Sequence, residues 1–183
     1  MSKETIIIDF NHKQAAHCEN GVTSNLLHHY QIKLSEPMVF GIGSGLFFSY
    51  MPFLKLNELP VISFRPWPGK IFDRITKRLG LEIKRHKFKD PVKSMEALDE
   101  NLQKGIPTGC IVGVYHLSYF PVAYRFHFNA HNIVVVGREN GDYLVSDPIM
   151  PTVERISYQD LMRVRYAKGS AFTPQGRIYY ITN

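Results

Sequence analysis

The 183-residue chain lacks several features that would assign it to a class of protein at once. It has only two cysteines, Cys18 and Cys110, so a disulfide framework is not expected. Its longest apolar runs, such as Ile133 to Gly137, are far shorter than the ~20 residues of a membrane-spanning helix. It has no repeats, and Asp9 interrupts the apolar run near its start, so no secretory signal is recognised. We therefore expect a cytoplasmic protein without a membrane span.

The composition is that of an ordinary globular domain with a surplus of aromatic residues. Apolar residues make up 44% of the sequence, aromatic residues 13% and charged residues 21%. These values exclude a disordered tail, a collagen-like fibre and a coiled coil. A chain of this length buries about 70% of its unfolded surface and is the size of one domain. No linker divides it, so we expect a single domain over residues 1–183.

Positive charges exceed negative ones and occur in two clusters. There are 22 lysines and arginines against 16 aspartates and glutamates, a net charge of +6. Such clusters are typical of a solvated face, or of a docking surface for an acidic partner. No zinc-finger spacing, phosphate-binding loop or RNA-binding signature accompanies them, so nucleic acid is not an expected partner. The clusters comprise Lys77, Arg78, Lys84, Arg85, His86, Lys87 and Lys89, and Arg163, Arg165 and Lys168.

The apolar periodicity predicts helices mainly in the first half of the chain and strands mainly in the second. The glycine-rich segment 40–50 is typical of a tight backbone passage into a strand rather than of a helix, and it lacks the context of a dinucleotide-binding loop. Together the elements predict an α+β fold with a largely antiparallel sheet. Helices are expected over residues 18–30, 71–79, 91–104 and 157–165, and strands over 4–9, 81–88, 110–116, 130–137, 143–147 and 177–182.

Cys18 falls in the first turn of the first predicted helix. There the unpaired N–H groups and the positive end of the helix dipole favour thiolate over thiol, which would make Cys18 a nucleophile. The alternative is that Cys18 is one more small buried apolar residue, as free cysteines usually are. Cys110 lies beside Ile111 and Val112 in an apolar strand and is expected only to pack.

His131 opens an apolar strand, and Asp147 ends the strand that follows after a turn. If Asn140-Gly141 is a two-residue turn, the two side chains point to opposite faces of the sheet and cannot interact. If a three-residue loop, 138–140, closes the hairpin with Gly141 in a bulge, His131 lies directly opposite Asp147. The carboxylate would then orient the imidazole and leave its other nitrogen free to activate a thiol. The alternative is a strand-edge histidine that is merely satisfied by a neighbouring carboxylate.

Two further segments provide candidate substrate contacts. Segment 117–125 is unusually aromatic and predicts either pocket lining, with Tyr119 and Phe120 as substrate-binding candidates, or core packing. The passage at Gly43 and Ser44 is the second candidate. The remaining histidines have no cluster of soft ligands nearby, so we expect no metal site and no cofactor.

Several motifs together resemble a known family. The first is His17-Cys18-Glu-Asn-Gly-Val-Thr-Ser-Asn-Leu-Leu-His-His-Tyr30, followed by Leu34-Ser-Glu36 and Phe40-Gly-Ile-Gly-Ser-Gly45. The second comprises Ala130-His131-Asn-Ile-Val-Val-Val-Gly137 and Ser146-Asp147-Pro148. They resemble the N-terminal domain of the butirosin biosynthesis acyltransferase family and, more loosely, bacteriocin-processing cysteine peptidases of the papain-like fold. The resemblance extends from about residue 17 to residue 181.

The resemblance implies a papain-like fold, in which an N-terminal helix carrying the cysteine packs on a mostly antiparallel sheet carrying the histidine and the aspartate. It implies Cys18 as nucleophile, His131 as base and Asp147 as the orienting residue. In the butirosin enzyme the domain moves an amino-acyl group from an acyl carrier protein thioester to an amine of an aminoglycoside. The basic clusters of this chain would suit an acidic carrier protein.

The chain departs from the papain-like pattern at the residue that helps to hold the oxyanion. Papain-like enzymes often have a glutamine six residues before the nucleophile, whereas this chain has His12 there and Gln14 four residues before it. We therefore expect the Cys18 backbone N–H to be one oxyanion donor, with Gln14 and His17 as candidate side chains.

These features predict a cysteine acyltransferase of specialised metabolism. It would carry an acyl or amino-acyl group from an acidic acyl carrier protein to a small-molecule amine through a Cys18 thioester. The alternatives are a cysteine peptidase or amidase that uses the same three residues, and a binding domain that has kept the fold without the chemistry.

Overall fold

The computed structural model describes residues 5–56, 58–169 and 172–182. No helix in these ranges is both long and apolar enough to cross a membrane. The helices are α1 (Cys18–His29), α2 (Glu36–Ile42), α3 (Lys70–Arg78), α4 (Pro91–Gln103) and α5 (Tyr158–Arg165). The strands are β1 (Ile6–Ile7), β2 (Ser49–Leu56), β3 (Leu59–Ser63), β4 (Ile83–His86), β5 (Thr108–Val112), β6 (His131–Glu139), β7 (Asp142–Ser146), β8 (Glu154–Ile156) and β9 (Ile178–Ile181).

An antiparallel sheet lies at the centre of the fold between two layers of helices. Its strands follow the order β4-β9-β5-β6-β7-β8, and β1 pairs with β6. Helices α1 and α3 pack on one face through residues such as Leu26 and Ile75. Helices α4 and α5 pack on the other face through residues such as Leu98 and Leu161. The predicted α+β fold with a largely antiparallel sheet is confirmed.

Strand β6 is buried from its first residue because helices cover both of its faces. Its side chains alternate between the two cores. Val134 and Val136 join the core beneath α1, and Ile133 and Val135 join the core beneath α4 and α5. Neighbouring residues at the start of β6 therefore face different helix layers.

The hairpin between β6 and β7 closes with a two-residue turn. Asn140 and Gly141 have φ values of 54° and 94°, and Glu139 pairs directly with Asp142. Positive φ at both central residues is the geometry that favours Asn-Gly in such turns. Of the two alternatives for this hairpin, the two-residue turn is therefore the one that forms.

A β-bulge within β6 nevertheless brings His131 and Asp147, on which the site depends, to the same face of the sheet. The pairing between β6 and β7 shifts by one residue between Val135 and Gly137. Because a shift of one residue moves side chains to the other face of a sheet, the bulge reverses the effect of the short turn. As a result, His131 and Asp147 lie on the same side of the sheet and meet.

Other elements differ from the sequence prediction in extent. Segment 40–50 was predicted as a passage into a strand, but its first three residues form the end of α2. Pro37 is accommodated in the first turn of that helix, where a backbone N–H is not needed. The chain then turns at Ser44, whose φ is 51°, and enters β2 at Ser49. Strand β2 is the strand that this passage was predicted to enter, and it pairs with β3, which was not predicted, in a separate two-stranded sheet.

Three predicted strands are shorter than expected. Strand β1 covers only Ile6–Ile7, and Glu4, at which the strand was predicted to begin, lies outside the described residues. Strand β4 ends at His86 and β5 ends at Val112, because the chain leaves the sheet there.

Candidate active site

Cys18 is the first residue of α1 and is 9% exposed. The residue before it, His17, has extended backbone and serves as the N-cap. The Glu36 carboxylate accepts hydrogen bonds from the N–H groups of Ala16, at 2.9 Å, and of His17, at 2.8 Å. These bonds fix the chain as it enters the helix. The thiol is therefore held at a helix N-terminus, where the dipole favours its anion.

His131 is the first residue of β6 and is buried. Its Nε2 donates to Oδ2 of Asp147 at 2.7 Å. The same ring lies beside the Cys18 side chain in the lining of one pocket, and the two groups interact electrostatically. Since Nε2 is occupied by the carboxylate, Nδ1 is the nitrogen available to the thiol. The imidazole therefore connects the end of α1 to the edge of the sheet.

Asp147 lies just beyond the end of β7 and is completely buried. Besides His131, its Oδ2 accepts a hydrogen bond from the Tyr119 hydroxyl at 2.9 Å. Its Oδ1 accepts the backbone N–H of Ile149 at 3.0 Å. A buried carboxylate is tolerable when it is paired and hydrogen-bonded in this way. The three bonds hold the orientation in which Asp147 meets the imidazole.

The pKa values of the cysteine and the histidine shift towards an ion pair. Burial lowers the pKa of His131, but the charge and hydrogen bond of Asp147 and the contact with Cys18 outweigh it and raise this pKa to about 10. Burial raises the pKa of the Cys18 thiol, but the hydrogen bond and positive charge of His131 outweigh it, so this pKa falls below its ordinary value. Both shifts favour a thiolate facing an imidazolium.

Asn132 is a contributor that the sequence analysis did not identify. Hydrogen bonds from its backbone and side chain to Cys18 also lower the pKa of the thiol. The Tyr179 hydroxyl donates to the Asn132 Oδ1 at 2.7 Å and so fixes the amide. Strand alternation was the available signal, because the residue after His131 must face the layer that contains α1.

Cys18 opens onto two pockets, which we call the aromatic cleft and the narrow pocket. The aromatic cleft has a volume of about 590 Å³, within the ~300–1,000 Å³ typical of small-molecule sites. The narrow pocket has a volume of about 190 Å³. The aromatic cleft is lined by Ala16, His17, Cys18, Val114, Phe120, Ala123, Tyr124, Phe126, Phe128, His131 and Ile149. The narrow pocket is lined by His17, Cys18, Glu19, Arg65, Pro66, Pro68, Ile71, Phe128, Ala130 and Asn132.

His17 lines both pockets beside the thiol. Burial and the nearby positive charge of Arg65 lower its pKa to about 4. Its Nδ1 is buried without a hydrogen-bond partner among the described residues. The ring is therefore neutral near pH 7 and retains an unused polar atom close to Cys18.

The structure separates the remaining predicted site residues. Phe120 lines the aromatic cleft and meets the His131 ring edge-on, with centroids 5.6 Å apart. Tyr119 does not line the cleft, because its hydroxyl is engaged with Asp147 behind the imidazole. Gln14 lines neither pocket beside Cys18, because its amide donates to the Ile149 carbonyl at 3.2 Å. Phe120 therefore lines a pocket beside Cys18, whereas Tyr119 and Gln14 do not.

Gly43 and Ser44 are not among the lining residues of either pocket. They lie where α2 ends against α3, and the Ser44 carbonyl accepts a hydrogen bond from Arg74 at 2.9 Å. A Cβ at Gly43 would lie 2.6 Å from a methyl carbon of Ile71, so the glycine allows close packing of the two helices. As substrate contacts these residues stay a prediction, and the close approach that Gly43 allows is to a helix.

One member of the second basic cluster is not at the surface. Arg165 is completely buried, and its guanidinium donates to the carbonyl groups of Ser94 and Gly176. It stabilises the packing of α5 against α4. The first basic cluster, at the end of α3 and along β4, is exposed.

A cysteine at a helix start, opposite a histidine and an acidic residue on an antiparallel sheet, is the arrangement of the papain-like fold. Three solved structures match over 98% of both chains: a C39-like peptidase from Bacillus anthracis (TM-score 0.61, 13% identity), the peptidase domain of Streptococcus ComA (0.54, 14%) and a double-glycine-motif protease from an AMS/PCAT transporter in complex with a leader peptide (0.56, 12%). The protein therefore has the papain-like α+β fold of these peptidases.

The family is defined by sequence. The description "Butirosin biosynthesis protein H, N-terminal" matches residues 17–148, which is more than half of the chain, so the protein belongs to this family. The match begins one residue before Cys18 and ends one residue after Asp147. Curated proteins give no match to the chain.

Proposed function

We propose that the protein is a cysteine-dependent acyltransferase that moves an acyl or amino-acyl group from a carrier-protein thioester to an amine. The observation that carries the proposal is the hydrogen bond between His131 and Asp147, with Cys18 beside the same imidazole in the lining of the aromatic cleft. Membership of the butirosin biosynthesis family supports transfer as the reaction. Cys18 is the nucleophile, His131 the acid and base, and Asp147 the orienting residue.

The first step transfers the acyl group to the protein. The Cys18 thiolate attacks the carbonyl carbon of the donor thioester, and a new S–C bond forms. The bond between the carbonyl carbon and the donor sulfur breaks, and the His131 imidazolium gives its proton to the departing thiolate. The exchange replaces one thioester by another, so the protein holds an acyl group in an activated form.

The second step releases the acyl group to the acceptor. A neutral amine attacks the Cys18 thioester, an N–C bond forms, and the S–C bond breaks. His131, now neutral, takes the proton from the amine nitrogen. The thiolate and the imidazolium are thereby regenerated. Asp147 remains ionised throughout and stabilises the charged form of the ring.

The oxyanion of each tetrahedral intermediate needs hydrogen-bond donors beside Cys18. The backbone N–H of Cys18 belongs to the first turn of α1 and has no partner within the helix. His17 is our candidate for the second donor, because its neutral ring lies beside the thiol with one nitrogen unused. Gln14 is a poorer candidate because its amide donates to Ile149.

The donor partner in this proposal is an acidic acyl carrier protein. Its negative surface would be attracted to the exposed basic cluster on α3 and β4, and the net charge of +6 adds a long-range attraction. Such attraction accelerates association and weakens as salt is added.

The second candidate function is a cysteine peptidase or amidase. The fold shared with C39-like peptidases favours it, and the same three residues would hydrolyse an amide through the same intermediate. In that case the leaving group is an amine and water resolves the acyl-enzyme.

Intact-mass measurement separates these functions. The protein is incubated with a simple acyl thioester, and we expect a mass increase of one acyl group on Cys18. The increase should be absent from Cys18→Ala and retained in Cys110→Ala. A second incubation adds an amine and should give the amide. An adduct that persists in Cys18→Ala would refute the proposal, and cleavage of library peptides without acylation by any thioester would favour the peptidase.

A further inference from the structure

The two pockets beside Cys18 differ in their access to the general acid and base. The aromatic cleft is lined by both Cys18 and His131. The narrow pocket is lined by Cys18, Ala130 and Asn132, and His131 is not among its lining residues. A substrate atom in the aromatic cleft can therefore approach both the sulfur and the imidazole.

The need for proton transfer to and from His131 determines which part of the substrate occupies each pocket. His131 must protonate the departing group and later deprotonate the acceptor, and each transfer requires contact within about 2.6–3.2 Å. Both groups consequently occupy the pocket that contains His131. The acyl chain, which exchanges no proton, extends from Cys18 into the narrow pocket, whose volume of about 190 Å³ is a third of the other.

The walls of the aromatic cleft define which acceptor fits. The rings of Phe120, Tyr124, Phe126 and Phe128 line it together with the apolar side chains of Val114 and Ile149. Tyr124 and Phe126 are 61% and 60% exposed, so a bound apolar group would remove their rings from water. None of its described lining residues is an aspartate or a glutamate. An acceptor with several ammonium groups would therefore lose hydration there without gaining a carboxylate partner.

We propose that the acceptor is an apolar or aromatic amine with a single basic nitrogen, held in the aromatic cleft, and that the acyl group occupies the narrow pocket. This assignment rests on the proposed function, because it identifies the substrate of the same site. It also separates this protein from an enzyme whose acceptor is a polycationic aminoglycoside.

The test measures which fraction of the acyl group on Cys18 is transferred to an amine and which fraction to water. The protein is supplied with the acetyl thioester of N-acetylcysteamine and one amine at a time: propylamine, hexylamine, phenethylamine or the polycation spermidine. The ratio of amide to free acetate is measured for each. We expect this ratio to rise about fourfold for each methylene group that the cleft buries. Phenethylamine should exceed propylamine, and spermidine should fall below hexylamine.

Two substitutions in the turn Val122–Tyr124 test whether the aromatic cleft determines the ratio of amide to acetate. Ala123→Trp fills the aromatic cleft, and we expect the ratio for hexylamine and phenethylamine to fall at least tenfold towards that of propylamine. Val122 is 78% exposed and does not line the cleft, so Val122→Trp is the matched control and should leave the ratios unchanged. Equal ratios for all amines, or equal effects of the two substitutions, would overturn the assignment.

A binding measurement keeps the assignment separate from the proposed function. Phenethylamine is titrated into Cys18→Ala and into Cys18→Ala with Ala123→Trp, and binding is followed by NMR. Binding only to the first protein supports the cleft as an amine site even if no thioester reacts. If acetylation of Cys18 occurs but phenethylamine binds neither protein, the acceptor assignment fails while the proposed function stands. If neither reaction nor binding is seen, both fail.

Discussion

Gly21 of α1 lies directly against Pro148, the residue after Asp147. A Cβ at Gly21 would lie 2.6 Å from the Cβ of Pro148 and 2.6 Å from the Cβ of Ala15. Both atoms belong to short or rigid side chains that cannot move aside. Only glycine therefore allows the helix that carries the thiol to approach the corner that carries the carboxylate.

Gly21→Ala should reduce catalysis by moving α1 away from Pro148. We expect the rate of Cys18 acylation to fall more than tenfold and the melting temperature to drop, because overpacking typically costs ~1–3 kcal/mol. Gly41→Ala is the matched control, since Gly41 is in helix α2 and a Cβ added there would meet no described atom within 4 Å. That change should preserve the rate and raise stability slightly. Equal behaviour of the two variants would contradict this role of Gly21.

The reactivity of Cys18 should extend to lower pH than that of an ordinary cysteine. Because the pKa of the thiol is lowered and that of His131 is raised to about 10, the thiolate and imidazolium coexist between these two values. Alkylation by iodoacetamide should therefore begin at lower pH than for an ordinary cysteine, and acyl transfer should decline as the pH approaches 10 and the imidazolium loses its proton. In His131→Ala the onset of alkylation should move to higher pH.

The second cysteine provides an internal control for that experiment. Cys110 is completely buried, and burial raises the pKa of its thiol. Mass mapping should find no alkylation of Cys110 in the folded protein. If alkylation of Cys18 follows a pKa of ~8.5, the usual value of a cysteine thiol, the pair of thiolate and imidazolium does not form.

The three central residues could be predicted because each carries a local signal. Cys18 begins a helix, His131 begins an apolar strand and Asp147 follows one. The hairpin pattern alone left the meeting of His131 and Asp147 open, because it depends on a bulge within β6. A Cβ at Gly137 would lie 2.5 Å from the Ile6 carbonyl oxygen, so the approach of β1 requires glycine there. Local patterns carry no information about that approach.

The sequence also could not show which neighbours the residues of the aromatic and glycine-rich segments contact. Tyr119 and Phe120 are adjacent in sequence, yet the first faces Asp147 and the second faces the cleft. Gly43 indicates a close approach of backbone, but sequence does not say whether the neighbour is a ligand or, as here, Ile71. Asn132 and Arg65 were overlooked because their roles depend on which elements pack beside Cys18.

Tyr119 is predicted to be a positioning residue for Asp147. Tyr119→Phe keeps the ring that packs against Phe120 and removes the hydroxyl that binds Oδ2. Losing a hydrogen bond to a buried charged group costs ~1–3 kcal/mol, so we expect about a tenfold fall in kcat with little change in KM. The onset of Cys18 alkylation should also shift in pH, which a purely structural role would not cause. Tyr115→Phe, on an exposed ring stacked with His127, should match the unmodified protein in both measurements.

The neutral state of His17 is the last prediction. Burial and then the charge of Arg65 lower its pKa to about 4, so its ring signals should not titrate between pH 5 and 8 in NMR spectra. Arg65→Ala removes a cation that opposes protonation, and the pKa of His17 should rise while burial keeps it below the ordinary value of ~6.5. Lys87→Ala removes an equal charge from an exposed position on the basic cluster and should leave the His17 titration unchanged. Titration of His17 near pH 6.5 in the unmodified protein would mean that burial and Arg65 do not lower its pKa, and it would contradict this prediction.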